Sequence, residues 1–412
     1  MSMRTILGKV CVLLVATLLA ACGPKDTRPH LMIWHTKDAR EGALFRELLA
    51  AYNAKHPETV VQALKKDPDE LRNLYVIAAV AGQGPDLAFV PADSVGVFVT
   101  TKTVLALDDL FPVETGFLDR FAPEGIVRWK DRPWLVGDQI GNHLVLVCNR
   151  DLVPKPPETL DDLIRIAKEL TTRDAQGNIT RYGLTWNYQA PFFFVPFLTG
   201  FGGWVMDENE QPALDNPQTV AALQFVLDLR KKHGVIPPEG DYNTASTLFK
   251  EGRAAMILNG SWSWADYGVP DKSYVALIPL NAANGKRCVS TVSPNGYVVN
   301  SNLPQEKRAA ARSLLSFLTS AEVQLRMARE LKTLPSDIAA RQAPEVREDP
   351  TLRVSAEQAA ESIPLPVLPQ MRQIWDGMIG PYQLIMNGDL SAAEGAKQMQ
   401  REAEKLYRDS AL

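Results

Sequence analysis

The first hundred residues alternate between short apolar runs and longer stretches with apolar positions at helical spacing. The apolar runs, which predict buried strands, are residues 30–34, 59–63 and 86–90. The amphipathic stretches, which predict helices, are residues 41–55 and 68–81. Alternating strands and helices are typical of a parallel α/β sheet, whose ligands bind beyond the carboxyl ends of the strands. We therefore expect the loops after Trp34 and Val90 to face a site.

A second α/β unit is predicted to begin near residue 142. The run 144–148 and the run 254–258 are apolar and predict strands. Thr159 and Asp162 have the spacing of a helix N-terminal cap, and Asn216 before Pro217 starts another predicted helix. Further helices are predicted over residues 304–332 and 391–409.

The N-terminus has the pattern of a secretory leader. Arg4 and Lys9 precede the apolar run 10–20, which is too short to span a bilayer comfortably. The run ends in Leu-Ala-Ala-Cys, which resembles the lipobox of bacterial lipoproteins. By this resemblance residues 1–21 are a signal peptide, Cys22 is lipidated, and residues 22–30 form the lipidated N-terminus and its tether. No second apolar run reaches 18 residues.

Length and charge limit the class of protein further. A chain of 412 residues exceeds what one hydrophobic core usually holds, so we expect two domains. Loss of Arg4 and Lys9 with the leader changes the net charge from −4 to −6. This acidic balance, without a basic stripe, argues against a nucleic-acid partner. Cys148 and Cys288 remain in the body of the chain and could either pair or stay as thiols.

Catalytic and metal-binding motifs are missing from the sequence. It contains no Gly-x-Ser-x-Gly, phosphate loop or His-Glu-x-x-His, and its five histidines lack metal-ligand spacing. Adjacent carboxylates such as Asp108 and Asp109 are commonly solvated surface groups. The sequence therefore predicts no catalytic residues, no metal and no cofactor.

Aromatic residues cluster in otherwise polar surroundings. Phe192 opens a run of three Phe residues after Pro191, Trp262 and Trp264 follow a turn, and Trp375 follows a Pro-rich segment. If 262–264 is extended, the two Trp side chains point the same way. Aromatic rings stack on the C–H faces of sugars, while amides and carboxylates pair with the hydroxyls. Any one of these aromatics, taken alone, is more often part of a core.

Five short motifs are spread in order over nearly all of the mature chain. They are Leu31-Met32-Ile33-Trp34, Gly82-Gln83-Gly84-Pro85-Asp86-Leu87, Asn149-Arg150-Asp151-Leu152 with Pro156-Pro157-Glu158-Thr159-Leu160, Phe249-Lys250-Glu251-Gly252-Arg253-Ala254-Ala255-Met256 with Asn259-Gly260-Ser261-Trp262, and Pro369-Gln370-Met371 before Trp375. With these motifs the chain resembles extracellular solute-binding proteins of the maltose-binding type. Each motif is weak alone, but their common order is specific.

The resemblance implies a two-lobed periplasmic-binding-protein fold, each lobe a mostly parallel sheet flanked by helices, with hinge segments between them. The N-lobe would span 24–140 plus 295–346, and the C-lobe 142–290 plus 350–412. A sugar in the cleft would close the lobes, and the closed form would dock on the transmembrane subunits of an ABC permease. The protein would be a monomer anchored by lipid in the periplasm or at the cell surface.

The resemblance also implies specific ligand contacts. After the first strand, Lys37 and Asp38 share one expected contact with sugar hydroxyls, and Asp93 supplies a carboxylate after the third strand. Asn142 occupies the place of a family Glu near the first crossing between lobes. The stacking positions are Phe192, Trp262 and Trp375.

Other positions depart from the family pattern. Residues that replace its Trp, Arg, Glu and late Arg contacts are Val90, Ser94, Ala190 and Ile379. A binding site loses most affinity when polar groups of the site or the ligand are left unpaired. We therefore expect a different or smaller sugar than maltose, or a glycoside.

Alternatives are glycerol phosphate or a polyamine on the same scaffold, a lipoprotein enzyme, or a sensor partner without transport. A phosphate ligand would need Arg or Lys side chains in the cleft. The sequence places only Lys37 and Arg40 near it, which favours a sugar over a phosphate.

Overall fold

The computed structural model describes residues 26–37 and 39–410. The predicted leader 1–21, Cys22 and Asp38 lie outside the described residues. Over the described ranges, none of the helices combines the length and apolar character needed to cross a membrane. The described residues form two large β-sheets with helices packed around them, together with one two-stranded hairpin.

The larger sheet has eight strands and begins with the predicted parallel pattern. Its main order is β2-β1-β3-β14-β6-β5, and β4 and β15 also pair with β14. The strands are β1 (His30–His35), β2 (Val60–Lys65), β3 (Leu87–Pro91), β4 (Val104–Leu105), β5 (Ile126–Trp129), β6 (Arg132–Gly141), β14 (Thr291–Asn300) and β15 (Ile363–Pro364). β1 runs parallel to β2 and β3, whereas β14 runs antiparallel to β3 and β6.

The smaller sheet has five strands in the order β11-β7-β10-β9-β8. They are β7 (Leu144–Asn149), β8 (Thr172–Arg173), β9 (Ile179–Thr185), β10 (Ala254–Gly260) and β11 (Ser273–Ala276). The separate hairpin pairs β12 (Leu280–Asn281) with β13 (Lys286–Arg287). Within the five-stranded sheet, β10 and β9 are parallel and the other neighbours are antiparallel.

The α/β class is confirmed, but both sheets are mixed, so the expectation of mostly parallel sheets is wrong in this detail. Parallel neighbours need a long crossover, and helices supply one between β1, β2 and β3. β5 and β6 are instead joined by Lys130 and Asp131, both at positive φ, as in a tight two-residue hairpin. Short connections of this kind force antiparallel pairing.

Sixteen helices lie in the described part of the chain. They are α1 (Ala39–Lys55), α2 (Pro68–Val80), α3 (Ser94–Thr100), α4 (Leu107–Leu110), α5 (Leu160–Leu170), α6 (Val195–Gly200), α7 (Pro217–Lys231), α8 (Tyr242–Lys250), α9 (Ser261–Trp264), α10 (Arg308–Leu318), α11 (Ala321–Leu331), α12 (Ile338–Gln342), α13 (Pro344–Arg347), α14 (Pro350–Glu361), α15 (Met371–Asn387) and α16 (Ala392–Ser410). The single helix predicted over 304–332 is wrong. A 3₁₀ turn precedes α10, and the Ser320 hydroxyl accepts the Val323 N–H and starts α11 as a separate helix.

Three chain segments pass side by side between the two sheets. β6 ends in the larger sheet at Gly141, and β7 begins in the smaller one at Leu144. The Leu144 N–H donates to Ser290 Oγ at 2.8 Å, and the Ser290 carbonyl accepts the Ile363 N–H at 3.0 Å. These bonds join the segment after β6, the segment before β14 and the segment at β15. We call them the crossing segments.

Separate apolar cores support the two sheets. One packs the smaller sheet against α7, α15 and α16 and contains the fully buried Trp186 and Phe194. The larger sheet has a core on each face, one around Phe45 and Tyr297 and the other around Tyr75. Cys148 and Cys288 are both buried free thiols, which resolves the alternative that the sequence left open.

Candidate functional site

A cavity of about 400 Å³ lies between the carboxyl end of β3 and loops of the smaller sheet. We call it the central cavity. Its lining residues are Pro91, Asp93, Asn142, Asn187, Gln189, Ala190, Pro191, Phe192, Asp241, Tyr242, Arg372, Trp375 and Ile379. Both sheets therefore contribute to one space, with a crossing segment at its margin.

The larger sheet contributes the end of β3 and the turn that follows it. Pro91 is the last residue of β3, and Asp93 precedes α3 without capping that helix through its side chain. Asn142 comes from the crossing segment after β6 and has φ +53°. Asn tolerates the left-handed region better than most residues because its short polar side chain can bond locally. Two of the predicted contacts are thus placed by backbone turns at the edge of the sheet.

α15 presents one face to the cavity. Arg372, Trp375 and Ile379 are three and four residues apart, a spacing that puts them on the same side of a helix. Ile374 and Met378 are fully buried in the core of the smaller sheet. Packing of that second face fixes which residues of α15 reach the cavity.

Aromatic residues after β9 and β10 pack together, and one of them, Phe192, lines the cavity. Phe192 lies in the 3₁₀ turn Pro191–Phe193, and its ring centroid is 6.5 Å from that of Trp262. The Trp262 ring covers Gly260, where an added Cβ would lie 2.1 Å from the indole. Glycine is therefore required for this ring position.

Trp262 and Trp264 do not point the same way, because α9 is helical and the segment is not extended. Residues two apart on a helix lie on nearly opposite sides. Trp264 is fully buried in the core behind β10, whereas Trp262 is half-buried beside Phe192. The condition for a common direction of the two side chains, an extended segment, is therefore not met.

The N-terminus of α8 adds a carboxylate and a phenol. Asp241 accepts the backbone N–H groups of Asn243 and Thr244 at 2.8 and 3.0 Å, and the Thr244 hydroxyl at 2.6 Å. These hydrogen bonds, led by that of the Thr244 hydroxyl, lower the pKa of Asp241. Tyr242 follows directly and also lines the cavity. Asp241 therefore remains ionised while it holds the helix end in place.

The structure brings together most of the predicted contacts. Asp93, Asn142, Phe192 and Trp375 line the central cavity, and Trp262 packs beside Phe192. Asp38 lies outside the described residues, so its predicted role stays a prediction.

The prediction that Lys37 contacts the ligand is wrong. Its ammonium donates to Glu41 Oε1 at 2.7 Å and to Asp138 Oδ2 at 2.9 Å, and it lies 3.5 Å from the Phe89 ring centroid. Burial alone would lower the pKa of Lys37, but the two carboxylates outweigh it and raise the pKa. The side chain is committed to an internal ion pair and does not line the central cavity.

Sequence reasoning missed several lining residues, which are Asn187, Gln189, Asp241, Tyr242 and Arg372. It placed Lys37 and Arg40 as the nearby cations, but Arg40 Nη1 donates to the Ala265 carbonyl at 3.4 Å. The cation of the cavity lining is Arg372, three residues before Trp375. The sequence feature that could have identified Arg372 is its helical spacing from Trp375. This spacing is informative only once α15 is recognised as a helix.

The lining can hold a neutral polyol. Phe192, Tyr242 and Trp375 offer ring faces, while amides, carboxylates and one guanidinium supply both donors and acceptors. Among residues 26–37 and 39–410, no group of three or more His, Cys, Asp or Glu side chains has the arrangement of a metal site. The geometry suits binding by stacking and hydrogen bonds.

Comparison with known proteins agrees with this geometry. The family model described as bacterial extracellular solute-binding protein matches residues 47–354. Curated relatives include the maltotriose-binding protein of Pyrococcus abyssi, 27% identical over 86% of this chain and 77% of that protein. The galactooligosaccharide-binding protein of Bacillus subtilis is 25% identical over 91% of this chain and 90% of its own. The maltooligosaccharide ABC transporter solute-binding lipoprotein of Streptococcus pneumoniae strain R6 is 25% identical over 100% and 97%.

Solved structures show the same fold. The maltose/maltodextrin-binding domain MalE from Bdellovibrio bacteriovorus, bound to maltotriose, superposes with a TM-score of 0.88 at 35% identity. That match covers 92% of this chain and all of that domain. The Thermus thermophilus maltotriose binding protein superposes with a TM-score of 0.81 at 21% identity, over 91% and 99% of the two chains. The predicted two-lobed architecture is confirmed.

Proposed function

Because the chain belongs to the bacterial extracellular solute-binding protein family, we propose that it is the receptor of an ABC importer and binds a small sugar or oligosaccharide. Members of this family are transport receptors, which confirms the expectation that the chain is not an enzyme. The observation that carries the proposal is the central cavity, which both sheets line with aromatic rings and uncharged amides.

The lining favours a sugar over the alternative ligands. A phosphate ligand such as glycerol phosphate would need several cationic side chains. Among the described residues, Arg372 is the one cation in the lining. A polyamine would need several carboxylates directed at the ligand; the described lining supplies Asp93 and Asp241, and Asp241 accepts two backbone N–H groups at the start of α8. The names of the relatives, which bind maltotriose, maltooligosaccharide or galactooligosaccharide, support a saccharide.

The mechanism that we propose is closure of two lobes about the crossing segments. The lobes would be 24–140 plus 295–346 and 142–290 plus 350–412. The membership of the strands in two sheets supports this division, except at β15 in the crossing segments, which pairs with β14 of the larger sheet. A sugar held by residues of both lobes binds the closed form better and shifts the population toward it. The closed form would then dock on the permease.

The anchor and location extend the proposal to the N-terminus. Cys22 would carry the lipid that ties a monomeric receptor to the membrane, in the periplasm or at the cell surface. The lipobox-like sequence supports this, as does the similarity to the Streptococcus pneumoniae relative, which is a lipoprotein.

The test is calorimetric titration of the mature chain with maltose, maltotriose, a galactooligosaccharide, glycerol 3-phosphate and spermidine. We expect saturable binding of at least one neutral saccharide and none of the charged compounds. Binding of glycerol 3-phosphate or spermidine alone would overturn the sugar assignment and leave the receptor fold intact. Deletion of the gene should also abolish uptake of the bound sugar; unchanged uptake would argue for a sensor without transport.

A further inference from the structure

Arg372 lies near the start of α15, where the helix itself gains little from a positive charge. It is the second residue of α15, where the helix dipole disfavours a positive charge. Its ion-pair partner Asp376 lies four residues later, with Nε and Oδ1 3.0 Å apart. The order from cation to anion along the helix is the weaker one for such pairs. Within α15, a guanidinium at this position therefore contributes little to helix stability.

The position of Arg372 relative to the central cavity supplies that role. Arg372 and Trp375 lie on one face of α15, less than one turn apart, and both line the cavity. The Arg372 side chain is 29% exposed. A ligand ring stacked on Trp375 would have its edge within reach of this planar group.

The surrounding charges decide what Arg372 can recognise. Asp93 and Asp241 line the same cavity, and Asp376 contacts the guanidinium itself. Among the described residues, these three carboxylates outnumber the single cation of the lining, which disfavours an anionic ligand because its charge would meet an excess of like charge. A hydroxyl fits better, since its oxygen can accept from the guanidinium while its hydrogen points to a carboxylate.

We propose that Arg372 is a specificity-determining residue of the central cavity, donating from its guanidinium to two neighbouring hydroxyls of a neutral pyranose ring that stacks on Trp375. The planar fork of Arg matches two acceptors side by side, which the single ammonium of Lys does not. This inference rests on the proposed function and names the ligand class more closely, as a neutral saccharide with vicinal hydroxyls.

The experiment measures affinity of the mature chain for maltose, maltotriose and a galactooligosaccharide, with glucuronic acid and glucose 6-phosphate as anionic comparators. For the best neutral ligand, Arg372→Ala should weaken binding roughly ten- to a hundredfold, the loss of charge-assisted hydrogen bonds. Arg372→Lys should recover only a minor part of it. Arg408→Ala, which removes an exposed arginine paired with Glu404, is the matched control and should not change affinity.

Two further measurements separate recognition from folding and charge. Thermal melting of Arg372→Ala should stay close to wild type, and binding of the neutral ligand should not change between 50 and 500 mM salt. An effect of Arg372→Ala below twofold, or full recovery by Arg372→Lys, would overturn the inference while leaving the proposed function in place. Preferential, salt-sensitive binding of an anionic comparator would overturn the neutral class. Failure of the wild type to bind any saccharide would overturn the proposed function, and the inference with it.

Discussion

Lys37 Nζ lies 2.9 Å from Asp138 Oδ2, and both side chains are almost entirely buried. Tyr297 Oη donates to the same carboxylate oxygen at 3.1 Å, so the pair joins the loop after β1 to β6 and β14. Burial raises the pKa of Asp138 to about 6, against the opposing effect of Lys37. Two strands that lead to the crossing segments thus share one charged cluster with the loop after β1.

Removal of one partner from this pair should be strongly destabilising. Lys37→Met leaves the Asp138 carboxylate buried without its cation, which we expect to lower the free energy of unfolding by about 3–5 kcal/mol in urea titrations. Lys232→Met, whose lysine is 70% exposed and 3.8 Å from Asp228, is the control and should cost less than about 1 kcal/mol. A similar loss for both variants would contradict the assignment of Lys37 to an internal ion pair.

His143 should make stability depend on pH in the acidic range. Burial lowers its pKa to about 4 from the ordinary 6.5, so the unfolded chain takes up a proton first. The stabilisation is complete above pH 6.5 and is lost as pH falls toward 4. His35, whose pKa burial also lowers, should change stability with pH in the same direction. Asp138, whose pKa burial raises, should change it in the opposite direction.

The check is the difference between the wild-type and His143→Gln unfolding free energies, measured from pH 7 to pH 4. The difference should shrink as the pH falls. Ser355→Ala removes the 2.9 Å contact to His143 Nε2 but keeps the imidazole. The unfolding free energy of this variant should therefore depend on pH as that of the wild type does. A pH-independent difference for His143→Gln would show that the residue does not titrate with unfolding.

Trp375 should contribute to ligand affinity by stacking. Trp375→Ala removes a ring face from the central cavity, and we expect about tenfold weaker saccharide binding in calorimetry. Trp204→Ala removes a partly buried tryptophan that packs against the same core, outside the cavity lining, and is the control. Equal losses of affinity for the two variants would indicate a general effect on folding.

Gly296 should tolerate no side chain. An added Cβ would lie 2.1 Å from the Val136 carbonyl oxygen, at the irregular pairing of β14 with β6. We expect Gly296→Ala to lower the free energy of unfolding by about 2–3 kcal/mol. Gly380→Ala, within α15 and with open space around its Cβ position, should instead be neutral or stabilise by roughly 0.5–1 kcal/mol. Equal effects would contradict the close approach of the two strands.

Cys22 should determine attachment to the membrane. In cells expressing the complete chain, Cys22→Ala should abolish incorporation of labelled palmitate and release the protein from the membrane fraction. Cys11→Ala, which changes a cysteine within the predicted leader, should leave both unchanged. Labelling that persists in Cys22→Ala would refute the lipoprotein assignment.

Local sequence patterns determined much of the fold. The apolar runs and helical spacings of the first hundred residues predicted β1, α1, β2, α2 and β3 to within a few residues, because each element carries its own period and its own stop signals. The motifs shared with the solute-binding family also predicted Asp93, Phe192 and Trp375 as residues of one cavity, and the structure places all three in its lining. Whether they contact ligand stays a prediction.

Tertiary structure alone decided what the charged side chains do. Lys37 turns inward because Asp138, 101 residues away, lies beside it, and no local pattern encodes that partner. Arg372 faces the central cavity because burial of Ile374 and Met378 fixes the rotation of α15. Apolar periodicity is a property of neighbouring residues, whereas the environment of a charge depends on which distant segments pack around it. For this reason the sequence predicted residues of the cavity but assigned Lys37 to it wrongly and missed Arg372.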